Sequence, residues 1–283
     1  MAQEPEPEYR LQIRFVQGDQ PVQSASPSRI RWREKSPAVI VDHEQQNGIT
    51  LHATIYRADQ VEPTMTTKWK PIEGGGQFQY LINVGIDESS AQHLLAFFLP
   101  PYLARKDPAN LKSQTWITWG AEPEGWTKLS PTIWSRSADN PALAPGKQSG
   151  PFEAVSELGP GLLSEVGFRG DVPLPEALGE PTAADVERLF GDNGPLSPEK
   201  QTKFIRYQII GPKVPATLKG VRDELKEAAA QPGFGFLSHL AEEADALDAS
   251  TLKQKLEALV EPTDELAGRE LCALRANLRR LVK

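Results

Sequence analysis

The residues best suited to metal chemistry are the histidines, His43, His52, His93 and His239. His43 and His52 flank Asn47-Gly48, a pair that favours a tight type I′ hairpin because both central residues need positive φ. In that register Gln46 pairs with Ile49. Counting back sets His43 opposite His52, Val41 opposite Thr54 and Val39 opposite Tyr56. Cross-strand partners bring their Cβ atoms to about 5 Å, close enough to share one ion. Asp42 and Glu44 would point to the other face, so His93 is the obvious third ligand. No HExxH, CxxC or HxH spacing accompanies them, and an exposed polar cross-strand pair is the simpler account. His43, His52 and His93 define one reading, a metal-dependent hydrolase. No cofactor is otherwise expected.

A second set of residues suits nucleic acid. Arg29, Arg31 and Arg33 alternate with Ile30 and Trp32, and Lys68 and Lys70 flank Trp69. Basic groups that meet phosphates, with an aromatic platform for bases, are how single strands are held. In a regular strand, however, Trp69 points away from its two lysine neighbours. Basic strand faces are also ordinary protection against edge-to-edge aggregation.

Other chemistry is thinner. Glu122 and Glu124 lie between tryptophans, as they would in a glycosidase cleft or in a solvated loop. Gly74-Gly75-Gly76 lacks the Lys-Ser/Thr of a phosphate loop and reads as a hairpin turn. Cys272 falls in a leucine-lined helix, where a buried cysteine behaves as a small inert hydrophobe.

The elements that must position these groups divide the chain in two. All six tryptophans lie between Trp32 and Trp134, among β-type runs, whereas the last hundred or so residues carry Ala, Leu, Glu, Lys and Arg at helical spacing. The fold class expected is α+β: an N-terminal antiparallel β-sandwich or partly open barrel followed by a C-terminal helical domain. The divisions are a disordered tail at 1–8, a β-rich domain at 9–136, a Pro/Gly/Ser-rich linker or wrapped loop at 137–181, and a helical domain at 182–283. Within the β part, Phe78, Tyr80, Ile82, Val84 and Ile86 alternate on one face of a strand. Residues 87–99 read as a short helix stopped by Pro100-Pro101. Further on, Thr182 to Asp185 resembles a capping box, Ser197-Pro198 a helix start, and 203–210 a helix, although Phe204, Ile205, Tyr207, Ile209 and Ile210 are β-formers that equally suit a strand. The last helix is expected from Thr263, its cap, to Val282, with Leu266, Leu271, Leu274, Leu278 and Leu281 as its apolar line.

Composition narrows the function classes. A formal charge of −7 argues against a chain whose whole surface coats nucleic acid or an anionic membrane. One cysteine excludes an internal disulfide and points to a reducing interior. No apolar run approaches a membrane span, so a cytoplasmic protein with no membrane partner is expected. The leading reading is a non-catalytic interaction or adaptor subunit of a larger cytoplasmic assembly, with a protein partner met through the helical domain. The alternatives are a nucleic-acid-binding accessory subunit and the metal-dependent hydrolase.

Overall fold

The computed structural model describes residues 8–10, 14–17, 20–22, 28–32, 38–56, 61–74, 76–106, 115–136, 140–171, 180–181, 184–185 and 205–282. All of the expected tail except Glu8 lies outside these residues, as do Arg33, Thr182 and the helix start at Ser197.

Six strands open the chain: β1 (Glu8–Arg10), β2 (Phe15–Gln17), β3 (Gln20–Pro21), β4 (Arg29–Trp32), β5 (Ala38–Glu44) and β6 (Thr50–Tyr56). Four of them form an antiparallel sheet in the order β1-β4-β5-β6, and β2 and β3 join β15 (Glu180–Pro181) in a smaller one. Phe15, Ile30, Val41 and Ala53 are buried there and belong to neither of the two larger cores. Both the amide and the Nε of Arg14 donate to the Asp185 carboxylate, at 2.9 and 3.1 Å, which ties the start of the chain to a much later segment.

The β5–β6 turn corrects the expected register. The Gln45 amide donates to the Ile49 carbonyl and the Gly48 amide to the Gln45 carbonyl, both at 2.9 Å. Gly48 has φ +79°. The loop therefore has three residues rather than two, closed by a glycine in the left-handed region. Asp42, not His43, stands opposite His52, while His43 faces Leu51, Val41 faces Ala53 and Val39 faces Ile55. A one-residue slip sends every side chain to the other face, so His43 is buried and His52 exposed.

The larger sandwich is built from β7 (Pro63–Pro71), β8 (Phe78–Ile86), β9 (His93–Phe98), β10 (Ile117–Trp119), β11 (Trp126–Ser130), β12 (Ile133–Arg136), β13 (Gln148–Ser156), β14 (Gly159–Asp171) and β16 (Ile205–Val214). Its sheets run β10-β13-β8-β7 and β11-β12-β9-β14-β16. The β7–β8 hairpin turns through Gly74 and Gly76, both at positive φ, and the five alternating residues of β8 are buried as their spacing predicts. Between the sheets Phe97, Trp126, Trp134 and Phe152 meet edge to face at 4.9–5.6 Å. Trp69, Trp116 and Trp119 pack around this core, partly buried. These five indoles thus serve as sandwich filler.

Three segments differ from expectation. Residues 93–98 form a strand rather than a helix, lying between β12 and β14. Among the described residues β13, β14 and the two-residue β15 lie in the stretch expected as a linker or wrapped loop. Residues 205–214 are a strand, not a helix. Central strands covered on both faces lose the alternation by which a strand is recognised. In β14, Leu163, Val166 and Phe168 enter the sandwich core while Leu162 turns to the helices, and in β16 Ile209 and Ile210 divide in the same way.

Helices α1 (Leu218–Ala229), α2 (Ser238–Glu243), α3 (Ala249–Ala258) and α4 (Glu265–Leu281) follow. The side chains of Thr217, Asp248 and Asp264 accept hydrogen bonds from Gly220, Thr251 and Ala267 and start α1, α3 and α4. The cap of α4 is therefore Asp264 rather than Thr263. Leu271, Leu274 and Leu278 are buried as expected, but Cys272 is exposed, because one residue beyond Leu271 the helix has turned by about 100°. The chain is α+β by segregation, antiparallel sheets in front and helices behind, and no described helix is long and apolar enough to cross a membrane.

Candidate functional site

The helices rest on β14 and β16 through glycines. A Cβ at Gly159 would lie 1.7 Å from the Asn277 Oδ1, and one at Gly161 2.8 Å from the Glu224 Oε1. Helix side chains therefore lie directly on strand backbone, a closeness only glycine permits. The groups that enter this seam are polar. Glu224 lies among Val221, Leu225 and Ala228 on the buried face of α1, and Glu270 and Asn277 among Ala267, Leu271, Leu274 and Leu278 on that of α4.

Glu224 is held on three sides. Its Oε1 accepts from the Leu162 amide at 2.7 Å, its Oε2 meets the Lys213 Nζ at 2.9 Å, and the Glu270 carboxyl lies against it. Lys213 also donates to the Leu162 carbonyl at 2.8 Å and meets Glu227 at 2.9 Å. Both backbone polar groups of Leu162 are satisfied by this ion pair. Asn277 donates to the carbonyls of Pro160 and Ala273 at 2.7 and 3.0 Å, and Arg280 to those of Glu157 and Val214 at 3.1 and 3.4 Å.

Glu270 is wholly buried, and no donor reaches either of its oxygens. Burial, the negative charge of Glu224 and the hydrogen bond with Glu224 all push its carboxyl well above the usual range. Burial also raises Glu224, against the pull of Lys213 and of the Leu162 amide. Two carboxyls in contact cannot both ionise cheaply. The neutral one is Glu270, whose two oxygens have no hydrogen-bond donor beside them. Glu227 is 54% exposed and Lys213 16%, so the row Glu227–Lys213–Glu224–Glu270 leads from water to the interior. This arrangement can hold and exchange a proton. The carboxyl at its inner end is closed to a substrate.

The residues singled out from the sequence lie elsewhere. Arg31 is bound twice to Asp42, Nε at 2.9 Å and Nη2 at 3.0 Å, and the Asp42 Oδ1 meets the His52 Nδ1 at 2.7 Å. Arg29 stands opposite Asp42. Partial burial raises the Asp42 carboxyl, but hydrogen bonds and charge from Arg31 and His52 outweigh it and leave it below the usual value. Lys68 and Lys70 are exposed on β7, in a different sheet from Arg29 and Arg31. Trp69 turns away from both lysines and meets Phe78 edge-on at 6.0 Å.

The histidines do not converge. The Nδ1 of buried His43 lies 3.3 Å from the Ser28 hydroxyl and its ring sits 5.1 Å from Phe15. His52 faces the other way, and His93 belongs to another sheet. Among the described residues no three His, Cys, Asp or Glu side chains are placed to hold a metal ion.

Glu224 and Glu270 escape notice in the sequence because acidic residues on a helix are ordinarily assigned to its wet face. Their signal is position. Each has an apolar or small residue at i−3, i+1 and i+4, which sets a carboxyl on the buried stripe. Compared with protein-family models, curated proteins and solved structures, the chain matches none.

Proposed function

We propose that this chain is a non-catalytic protein-interaction subunit, working in the cytoplasm, that receives an extended segment of a protein partner along the outer edge of β6. The observation behind this reading is the edge itself. β6 pairs with β5 over seven residues without a register shift, and among the described residues no strand pairs with its other side. Its sequence, TLHATIY, has no lysine, acidic residue or proline, the usual devices that blunt an open edge. An edge of this kind can accept a partner strand by main-chain hydrogen bonds.

The helical faces are less suited to the role first expected of them. Their charges are largely matched at home, as in Lys226–Asp245, Lys255–Glu243 and Arg279–Glu257. Arg31 is engaged with Asp42 and Trp69 with Phe78, so the nucleic-acid reading draws no support from these positions.

Ladder alternation from the Gln45–Ile49 bond aims the amides of His52 and Thr54 outward. Thr54→Pro removes one outward donor without breaking the β5 ladder. The protein isolated from its native source should carry a partner in defined stoichiometry, lost with Thr54→Pro and kept with Thr54→Ser. Undiminished association of the proline variant would overturn the reading.

A further inference from the structure

We propose that the Glu224–Glu270 pair holds one shared proton that fastens the helical layer to β14 and β16, and that loss of this proton loosens the layer, a pH-sensitive latch built into the fold. It rests on donors and acceptors at the seam and is independent of the role given to β6.

An ammonium has three donors. Those of Lys213 are taken by Glu224, Glu227 and the Leu162 carbonyl. The one further hydrogen placed on Glu224 comes from the Leu162 amide. Asn277 spends its amide hydrogens on Pro160 and Ala273, and Arg280 turns to Glu157 and Val214. Glu270 therefore receives no hydrogen bond from any element around it: α1 presents Glu224 and Glu227, β16 presents Lys213, and β14 presents backbone that is already engaged. As a neutral acid it supplies the missing donor itself, to Glu224. As a carboxylate it would face a second carboxylate, with Lys213, the cation that acts on it, already shared by Glu224 and Glu227.

The seam has no room to relax. Helix side chains lie on the backbone of Gly159 and Gly161, so a newly ionised Glu270 gains water only if α4 lifts. Glu227, the exposed member of the row, gives the departing proton a route to solvent without global unfolding. The helices then shift while the sandwich core, formed by other side chains of the same strands, stays closed.

Amide hydrogen exchange tests this across a series from about pH 5 to about pH 10, corrected for the intrinsic pH dependence of exchange. In the wild-type chain, protection of α4 should fall by about tenfold per pH unit above about pH 4.3, where the opened state releases the proton that the closed pair still holds, and should level off once the closed pair releases it too, while that of β8 holds. Glu270→Gln keeps a neutral donor of the same shape and should leave α4 protection flat. Equal loss in Glu270→Gln, or no loss in the wild type, overturns the proposal. Carbon-13 carboxyl shifts of the wild-type chain give a reading that needs no variant. One glutamate should stay protonated well above the ordinary carboxylate range, and ordinary titration of every glutamate sinks the latch.

Discussion

The N-terminal sheet and the sheet–helix seam each bury one ionisable side chain in its neutral form, and they do so with opposite consequences. His43 lies in the small front core with Phe15 against its ring and a single hydroxyl, Ser28, beside its Nδ1. Burial alone lowers its pKa. Glu270 lies among charged groups, and burial together with a neighbouring carboxylate raises it. A low dielectric disfavours whichever form carries charge, so acid threatens the first region and alkali the second. Among the described residues the front core buries Phe15, Ile30, Val41 and Ala53, whereas eighteen buried residues form one cluster at the helical layer.

The sharpest way to break this contrast is Glu224→Ala. It strips the half-buried Lys213 of one carboxylate and leaves the Leu162 amide without an acceptor, so unfolding free energy should drop by about 1–3 kcal/mol. Denaturant titration would measure it, and a loss near zero would mean that the seam is wet.

Next in size are the two pH slopes. The folded pKa of Glu270 is raised, so the folded state binds a proton that the unfolded chain releases at about pH 4.3. Stability at the seam is full below that value and declines as pH rises toward the folded pKa. For His43 the folded pKa is lowered, so the unfolded chain binds the extra proton. Front-sheet stability is full above about pH 6.5 and is lost as pH falls through the window below it. Residue-level exchange at 41–43 and at 271–278 should therefore move in opposite directions with pH. Parallel slopes would remove the contrast.

The smallest effect is expected at the surface. Asp42→Asn weakens contacts to Arg31 and to a His52 that is 63% exposed, and such pairs contribute about 0.2–1 kcal/mol. A larger loss on thermal or chemical unfolding would show that Asp42 organises the sheet rather than decorating it.

How much of this was legible follows from locality. The β7–β8 hairpin can be read from three glycines and the alternation of Phe78 to Ile86, and α4 from its leucine line and its terminal Arg279 and Arg280. The split between an indole-rich β front and a leucine-rich helical back is legible too. The stretch 148–171 is not, because its prolines and glycines suggest a loop, while β14 packs against the sandwich core on one side and the helices on the other. The register of His43 and His52 failed by one residue, since Asn47-Gly48 fits both a two-residue and a three-residue loop. The candidate site was missed because nothing local distinguishes Glu224 and Glu270 from solvated helix acids except their place on the apolar stripe.

By itself the sequence determined the order of β and α segments, the wet and dry faces of β8 and α4, and the start of α4 to within one residue. These depend on side-chain period and capping, which act within a few residues. Only the tertiary structure decided that β14 and β16 serve two cores, that His43 turns inward, and that Glu270 meets Glu224 without a cation of its own. Burial and charge state depend on groups far apart in the chain, and those neighbours exist only once the helices have closed over the sheet.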